Sequence, residues 1–183
     1  MQLFLPTSIT DVVLIQPDVF GDSRGYFLET REEGKFSTLG SGVKLVQDNH
    51  SRSGQHVLRG LHYQITKGQR KLVRVVTGAV FDVAVDLRRS SPFFGRWVGA
   101  TLSEENHNML WIPPGFAHGF LVLSQTADFL YRCTDFWMPS GERSVIWDDP
   151  ILDVKWPLPW GVRPVLSAKD AAGARFQDAD CFP

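Results

Sequence analysis

Histidine, lysine, tyrosine and aspartate are the side chains in this chain whose types and spacing suit proton transfer. Titratable residues recur along otherwise apolar runs at Asp22-Ser23-Arg24-Gly25-Tyr26-Phe27-Leu28-Glu29, Gln47-Asp48-Asn49-His50, Arg59-Gly60-Leu61-His62-Tyr63-Gln64, Pro113-Pro114-Gly115-Phe116-Ala117-His118 and Phe129-Leu130-Tyr131. Lys71 opens the run that follows the third of these. In an extended chain alternate side chains share a face, so Lys71 aligns with Val73 and Val75, His118 with Phe120 and Val122, and Tyr131 with Phe129 and Cys133. Taken singly, each polar group reads most simply as a satisfied core or rim residue. Taken together, they suit proton abstraction next to a carbonyl. Histidine supplies a base that titrates near neutral pH. Lysine supplies a cation at the oxygen where enolate charge develops. A tyrosine hydroxyl is suited to returning a proton to the opposite face, and a carboxylate behind the histidine would orient its ring. The arginines match a phosphorylated or nucleotide-linked substrate, because guanidinium binds phosphate bidentately.

The elements that must position these groups are mostly strands. Period-2 patterns predict strands over Asp11–Ile15, Tyr26–Thr30, Val57–Gln64, Lys71–Thr77, Ala79–Leu87, Arg96–Ser103, Asn108–Ile112, Phe116–Leu123 and Ala127–Thr134. Turn signals separate them, among them Gly21-Asp22, Thr77-Gly78, Ser91-Pro92 and Pro113-Pro114-Gly115. Many short strands with frequent turns predict an all-β sandwich or jelly roll. Helical signals are few: Glu32–Leu39, and a second short helix after Ser167, a good N-cap with Asp170 at the third helical position as the acid of a capping box. Strict alternation puts Arg59 and His62 on opposite faces, and a bulge at Gly60 would reset that register. The sequence leaves both possibilities open.

Composition bounds the function classes. The 183 residues carry 19 Lys+Arg against 20 Asp+Glu, a formal net charge of −1, with 43% hydrophobic and 12% aromatic residues. That is the make-up of an ordinary globular domain, expected to span residues 1–183 as one unit without repeat or linker. Balanced charge argues against nucleic acid or an anionic membrane as the main partner. Residues 1–16 lack the basic and apolar regions of a signal peptide, and no run approaches the ~20 apolar residues of a spanning helix. Cys133 and Cys181 fit no CxxC spacing, so two reduced thiols in a cytoplasmic protein are expected.

Pro113-x-Gly115-x-x-His118 resembles the second cupin motif, whose histidine is often a metal ligand. The first cupin motif needs a His-x-His pair followed by Glu, whereas this chain reads His62-Tyr63-Gln64 with no second histidine and no acid before Lys71. Two histidines beside a lysine make a poor cation site, so no metal and no cofactor are expected.

At these residues the chain closely resembles the bacterial dTDP-4-dehydrorhamnose 3,5-epimerases. Beyond the clusters above, the resemblance is carried by Lys71-Leu72-Val73-Arg74, Phe81-Asp82-Val83-Ala84-Val85-Asp86-Leu87-Arg88, Trp111-Ile112-Pro113-Pro114-Gly115, Trp147-Asp148-Asp149-Pro150 and Leu166-Ser167-Ala168-Lys169-Asp170. It implies a metal-free, cupin-like double-stranded β-helix jelly roll, usually a homodimer, acting on a dTDP-linked 4-keto-6-deoxyhexose. Carried over motif by motif, it implies His62 as the base, Asp170 as its carboxylate partner, Tyr131 as the acid and Lys71 as the stabiliser of the C4 enolate. It puts Arg24, Phe27, Glu29, Gln47, Asn49, Arg59, His118, Trp137, Glu142 and Lys169 at substrate-contact positions. Two features depart from the family pattern. Phe136-Trp137 stands where many members carry two tyrosines, which keeps a π-face for stacking on thymine but removes a hydroxyl. The segment Met138–Val145 around Glu142 also differs in detail. Epimerisation at C3 alone or C5 alone, on a related nucleotide sugar, is compatible with the same residues. A non-catalytic sugar-binding jelly roll would bind without proton exchange, and a metal-dependent cupin would lose activity to a chelator.

Overall fold

Val, Ile, Leu and Phe at every second position bury one face of an extended chain, and burial of that face is what selects strands here. In the computed structural model, which describes residues 2–40 and 42–183, the strands are β1 Leu3–Pro6, β2 Val13–Gln16, β3 Val19–Asp22, β4 Gly25–Leu28, β5 Gln47–Gly54, β6 Leu58–Gln64, β7 Lys71–Thr77, β8 Ala79–Asp86, β9 Trp97–Ser103, β10 Met109–Ile112, β11 Phe116–Val122, β12 Thr126–Cys133 and β13 Glu142–Ser144. Two antiparallel sheets face each other, one in the order β1-β2-β10-β7-β12-β5 and the other β13-β6-β11-β8-β9. This is the expected jelly roll. β3 and β4 form a separate two-stranded hairpin.

The inner faces meet in one apolar cluster that includes Val73, Val75 and Phe129 from the first sheet and Val80, Ala84, Phe120 and Val122 from the second. Phe120 and Phe129 stack across the gap at 4.1 Å between ring centroids. Truncating a buried aromatic of this kind costs about 3–5 kcal/mol, so this layer is the rigid floor of whatever lies above it. Lys71, His118, Tyr131 and Cys133 continue the same inner faces toward one end of the sandwich, where apolar packing gives way to a cleft.

Helices are as sparse as expected. Residues Glu33–Phe36 form α1, continued by a 3-10 turn over Ser37–Leu39, and the Glu32 carboxylate caps it by accepting from the amides of Gly34 and Lys35. Residues Ala168–Ala171 form α2 with Ser167 as N-cap. No helix among the described residues is long and apolar enough to cross a membrane. Both cysteines are free thiols.

Candidate active site

The Gly60 question is answered by the β6–β11 register. His118 pairs with His62 but Phe120 pairs with Arg59, so one residue is gained between them, a bulge centred on Gly60. Gly60 takes φ +138°, and a Cβ there would stand 2.6 Å from the Cα of Gly119. Only glycine facing glycine lets the strands approach this closely. The consequence is functional: Arg59 and His62 turn to the same side and line one hollow. The bulge also frees the Gly60 amide, which donates to Asp170 Oδ1 at 3.2 Å.

Two adjoining hollows of about 290 and 220 Å³ share His62, Lys71 and Tyr131 as common walls. The first is closed by Gln47, Asn49, Trp137 and Glu142, the second by Ser51, Arg59, His118 and Phe129. β5 supplies Gln47, Asn49 and Ser51 from alternate positions, its exposed face being Asp48, His50 and Arg52. It lies directly against β12, with Asn49 opposite Tyr131 and Gln47 opposite Cys133.

His62 sits between Ser144 of β13 and His118 of β11, its ring still reaching solvent. Its Nε2 lies 2.6 Å from Asp170 Oδ1, an ion-pair contact whose angle falls outside that of a linear hydrogen bond. Asp170 is held by α2: Ser167 Oγ accepts the Asp170 amide at 3.1 Å and donates its own proton to Asp170 Oδ2 at 2.6 Å. The expected capping box is therefore half formed, because the carboxylate turns to the Ser167 hydroxyl and to His62. Burial raises the Asp170 carboxyl, but Ser167, the Gly60 amide and His62 outweigh it and leave the group below its ordinary value. Burial lowers the His62 ring, reinforced by the Lys71 and Lys169 charges and opposed by Asp170, so that it sits below the ordinary histidine value.

Lys71 and Tyr131 face the cleft without hydrogen-bond or ion-pair partners among the described residues. Burial pushes the Lys71 amine down, and Cys133, Asp82 and Glu142 only partly restore it. The amine stands 6.0 Å from the Tyr131 ring centroid. Burial raises the Tyr131 phenol, with Cys133 adding to the effect, so the hydroxyl keeps its proton at neutral pH.

The rim is held by amides. Gln47 Oε1 accepts the Trp137 amide at 2.9 Å and Gln64 Oε1 the Met138 amide at 2.6 Å, placing the exposed Trp137 indole over the mouth. Its Nε1 donates to Glu142 Oε2 at 3.1 Å, while Lys169 Nζ meets Glu142 Oε1 at 2.5 Å. These partners more than offset burial and hold the Glu142 carboxyl below its ordinary value.

Most of the residues singled out from the sequence thus converge on one cleft: His62, Lys71, Tyr131, Asp170, Gln47, Asn49, Arg59, His118, Trp137, Glu142 and Lys169. Arg24, Phe27 and Glu29 do not. Arg24 pairs with Asp22 inside the β3–β4 hairpin, Phe27 is exposed there, and Glu29 takes the Lys35 ammonium at 2.7 Å. Asp82, a fully buried carboxylate against His118, lies outside the residues singled out from the sequence, although an acid in the middle of an apolar strand is a legible signal. β5 likewise lies outside the strands expected from the sequence. Among the described residues no group of three or more His, Cys, Asp or Glu side chains is placed to hold a metal ion.

Comparisons with known proteins place the chain in a family. The family model for dTDP-4-dehydrorhamnose 3,5-epimerase matches residues 6–178. The dTDP-4-dehydrorhamnose 3,5-epimerase of Pseudomonas aeruginosa is 58% identical over 177 residues, covering 96% of this chain and 97% of that one. The crystal structure of a dTDP-6-deoxy-D-glucose-3,5-epimerase from Legionella pneumophila in complex with dTDP-4-keto-L-rhamnose superposes with a TM-score of 0.94 at 48% identity, covering 98% of this chain and 95% of that one. A 3'-monoepimerase from Streptomyces bikiniensis in complex with dTDP-quinovose gives 0.88 at 33% identity, covering 94% and 87%. Near full-length matches of this kind, on a chain whose cleft gathers a histidine, a tyrosine and an unpartnered lysine, leave one conclusion: the chain belongs to the dTDP-4-dehydrorhamnose 3,5-epimerase family.

Proposed function

We propose that this protein inverts C3 and C5 of dTDP-4-dehydro-6-deoxy-D-glucose to give dTDP-4-dehydro-6-deoxy-L-mannose. The observation that carries the reading is the unpartnered, desolvated Lys71 amine facing the same space as His62 and Tyr131. A cation left without a counter-ion costs stability unless something else uses it, and an enolate oxygen would.

Both C3 and C5 adjoin the C4 ketone. His62 takes a proton from the carbon, the electron pair moves toward the C4 oxygen, and Lys71 stabilises the charge that develops there. Asp170 stabilises the imidazolium formed on His62. Tyr131 gives its hydroxyl proton to the carbon from the other face, which inverts it. Arg59, Asn49 and Gln47 lie where the sugar and diphosphate would run, and Trp137 presents its face to the base.

The position of Arg24, Phe27 and Glu29 supports a homodimer. Phe20, Tyr26 and Phe27 are 64, 56 and 69% exposed on a two-stranded hairpin that pairs with neither large sheet. Large apolar side chains on such a projection suit burial against a second copy. The hairpin of one protomer then brings Arg24 to the nucleotide held in the cleft of its partner.

Incubation with dTDP-4-dehydro-6-deoxy-D-glucose and NMR of the sugar tests the reaction. Inversion at both carbons, unchanged by a chelator, is expected. Inversion at one carbon would make the protein a single-site epimerase, loss of activity to the chelator would establish metal dependence, and binding without inversion would leave a sugar-binding jelly roll.

A further inference from the structure

One buried carboxylate beside the cleft takes no part in the proton transfers above. Asp82, in the middle of β8, has no exposed surface, and its two oxygens lie 3.0 and 2.9 Å from Nε2 of His118. No other hydrogen bond reaches its side chain among the described residues. Ala84 is the register partner of His118 across β8 and β11, so the diagonal two residues back delivers the carboxylate to the ring. Removing a carboxylate from water costs several kcal/mol, and burial here pushes its pKa up against the pull of His118 and Lys71.

Ionised, the Asp82 carboxylate only accepts hydrogen bonds, so the proton on His118 belongs on Nε2. Nδ1 then remains as the ring nitrogen without a protein partner among the described residues, and the ring lines the hollow that Lys71, His62 and Tyr131 share. With a proton on Nε2 alone, Nδ1 offers a lone pair. With a second proton it becomes a donor, and a carboxylate on the far side of the ring stabilises that form. The same charge acts at longer range on the Lys71 ammonium, without pairing with it.

We propose that Asp82 is a positioning residue for enolate formation: it fixes the His118 ring with Nδ1 toward the sugar ketone and stabilises the protonated ring as a second donor, beside Lys71, to the C4 oxygen. The carbon-bound proton still goes to His62. His118 keeps its Nδ1 proton while donating it in a hydrogen bond, so no further bond forms or breaks. This inference rests on the epimerase reading.

Two measurements test it. In the wild-type protein, ¹⁵N NMR of the histidine rings is expected to show the His118 proton resident on Nε2; a proton resident on Nδ1 with Nε2 bare overturns the proposal. In D82N, which conserves volume, deuterium exchange at C3 and C5 is measured per dTDP-binding site counted by calorimetry. The expected result is an exchange rate lower by about 10²-fold with dTDP affinity within about threefold of wild type, accompanied by loss of the fixed Nε2 proton. A D82N rate per site within about threefold of wild type overturns the proposal. Should D82N bind no dTDP, the wild-type NMR result decides alone. Absence of exchange from the wild-type protein would sink the epimerase reading itself, while the position of the His118 proton would still be read by NMR.

Discussion

Burial draws the His62 ring below the ordinary histidine value of about 6.5, and the Lys71 and Lys169 charges act in the same direction against Asp170. A base must be unprotonated to accept a proton, so a lowered pKa extends activity toward acid. The ascending limb of kcat/KM is expected below pH ~6.5. K169M removes one of the charges that lower it and should move that limb to higher pH; a pH profile of the variant showing no movement or the opposite one would contradict this assignment. On the alkaline side, the first group expected to fail is Lys71, since burial lowers its amine while it raises the Tyr131 phenol. Lys71 also separates catalysis from stability. Its amine forms no ion pair among the described residues, so K71M should lower kcat by about 10²–10³-fold with no loss of melting temperature. A melting temperature that fell sharply would instead show Lys71 to be structural. Lys71, His118 and Tyr131 were legible in the sequence because each interrupts an apolar face, and His62 through its motif's resemblance to the family. Asp170 was legible as a helix-capping acid, but its carboxylate's turn toward His62 depends on the Gly60 bulge, a contact 110 residues away along the chain.

Strands with apolar alternation were read closely. Lys71–Thr77 has the same ends in sequence and structure, and Phe116–Val122 and Met109–Ile112 differ by one residue at one end. β5 escaped because both of its faces are polar: Gln47, Asn49 and Ser51 point into the cleft, and Asp48, His50 and Arg52 point to water. A strand that lines a polar cavity has no hydrophobic period to reveal it. β1, β3 and β13 are short strands at sheet edges or in the hairpin, where pairing with a neighbour rather than a strong local pattern sets the conformation. The short α2 is the element whose local chemistry reaches the cleft most directly. Ser167 caps it and also holds Asp170 ionised, so S167A should cost about 1 kcal/mol near neutral pH. The sign of its pH dependence follows from Asp170, whose folded pKa is depressed: the stabilisation is present above the unfolded carboxylate value and is lost as pH falls through the folded one. The deficit of S167A measured by urea unfolding should therefore shrink in acid. A deficit that grew in acid would contradict the role given to the Ser167–Asp170 pair.

The whole molecule combines a jelly roll, whose two sheets build the cleft, with a hairpin that carries Arg24 and Phe27 and is followed by Glu29, three expected substrate contacts that the cleft of the same chain does not gather. Alternation along a strand places residues within one chain and is silent on a second copy, so under the proposed dimer Arg24, Phe27 and Glu29 could be singled out yet not placed. Mixed protomers settle the point. If each cleft uses its partner's hairpin, co-refolding inactive H62N with R24A should restore activity, because one site of each hybrid dimer holds an intact His62 and an intact Arg24. Failure to restore activity in hybrids shown to form would place Arg24 at its own chain's cleft. The central claim, that a single cleft with one base serves both carbons, is tested most directly by H62N in D₂O with dTDP-4-dehydro-6-deoxy-D-glucose. With dTDP binding retained, no deuterium is expected at either C3 or C5. Deuterium still entering at C5 alone would mean a second base, and would contradict the account.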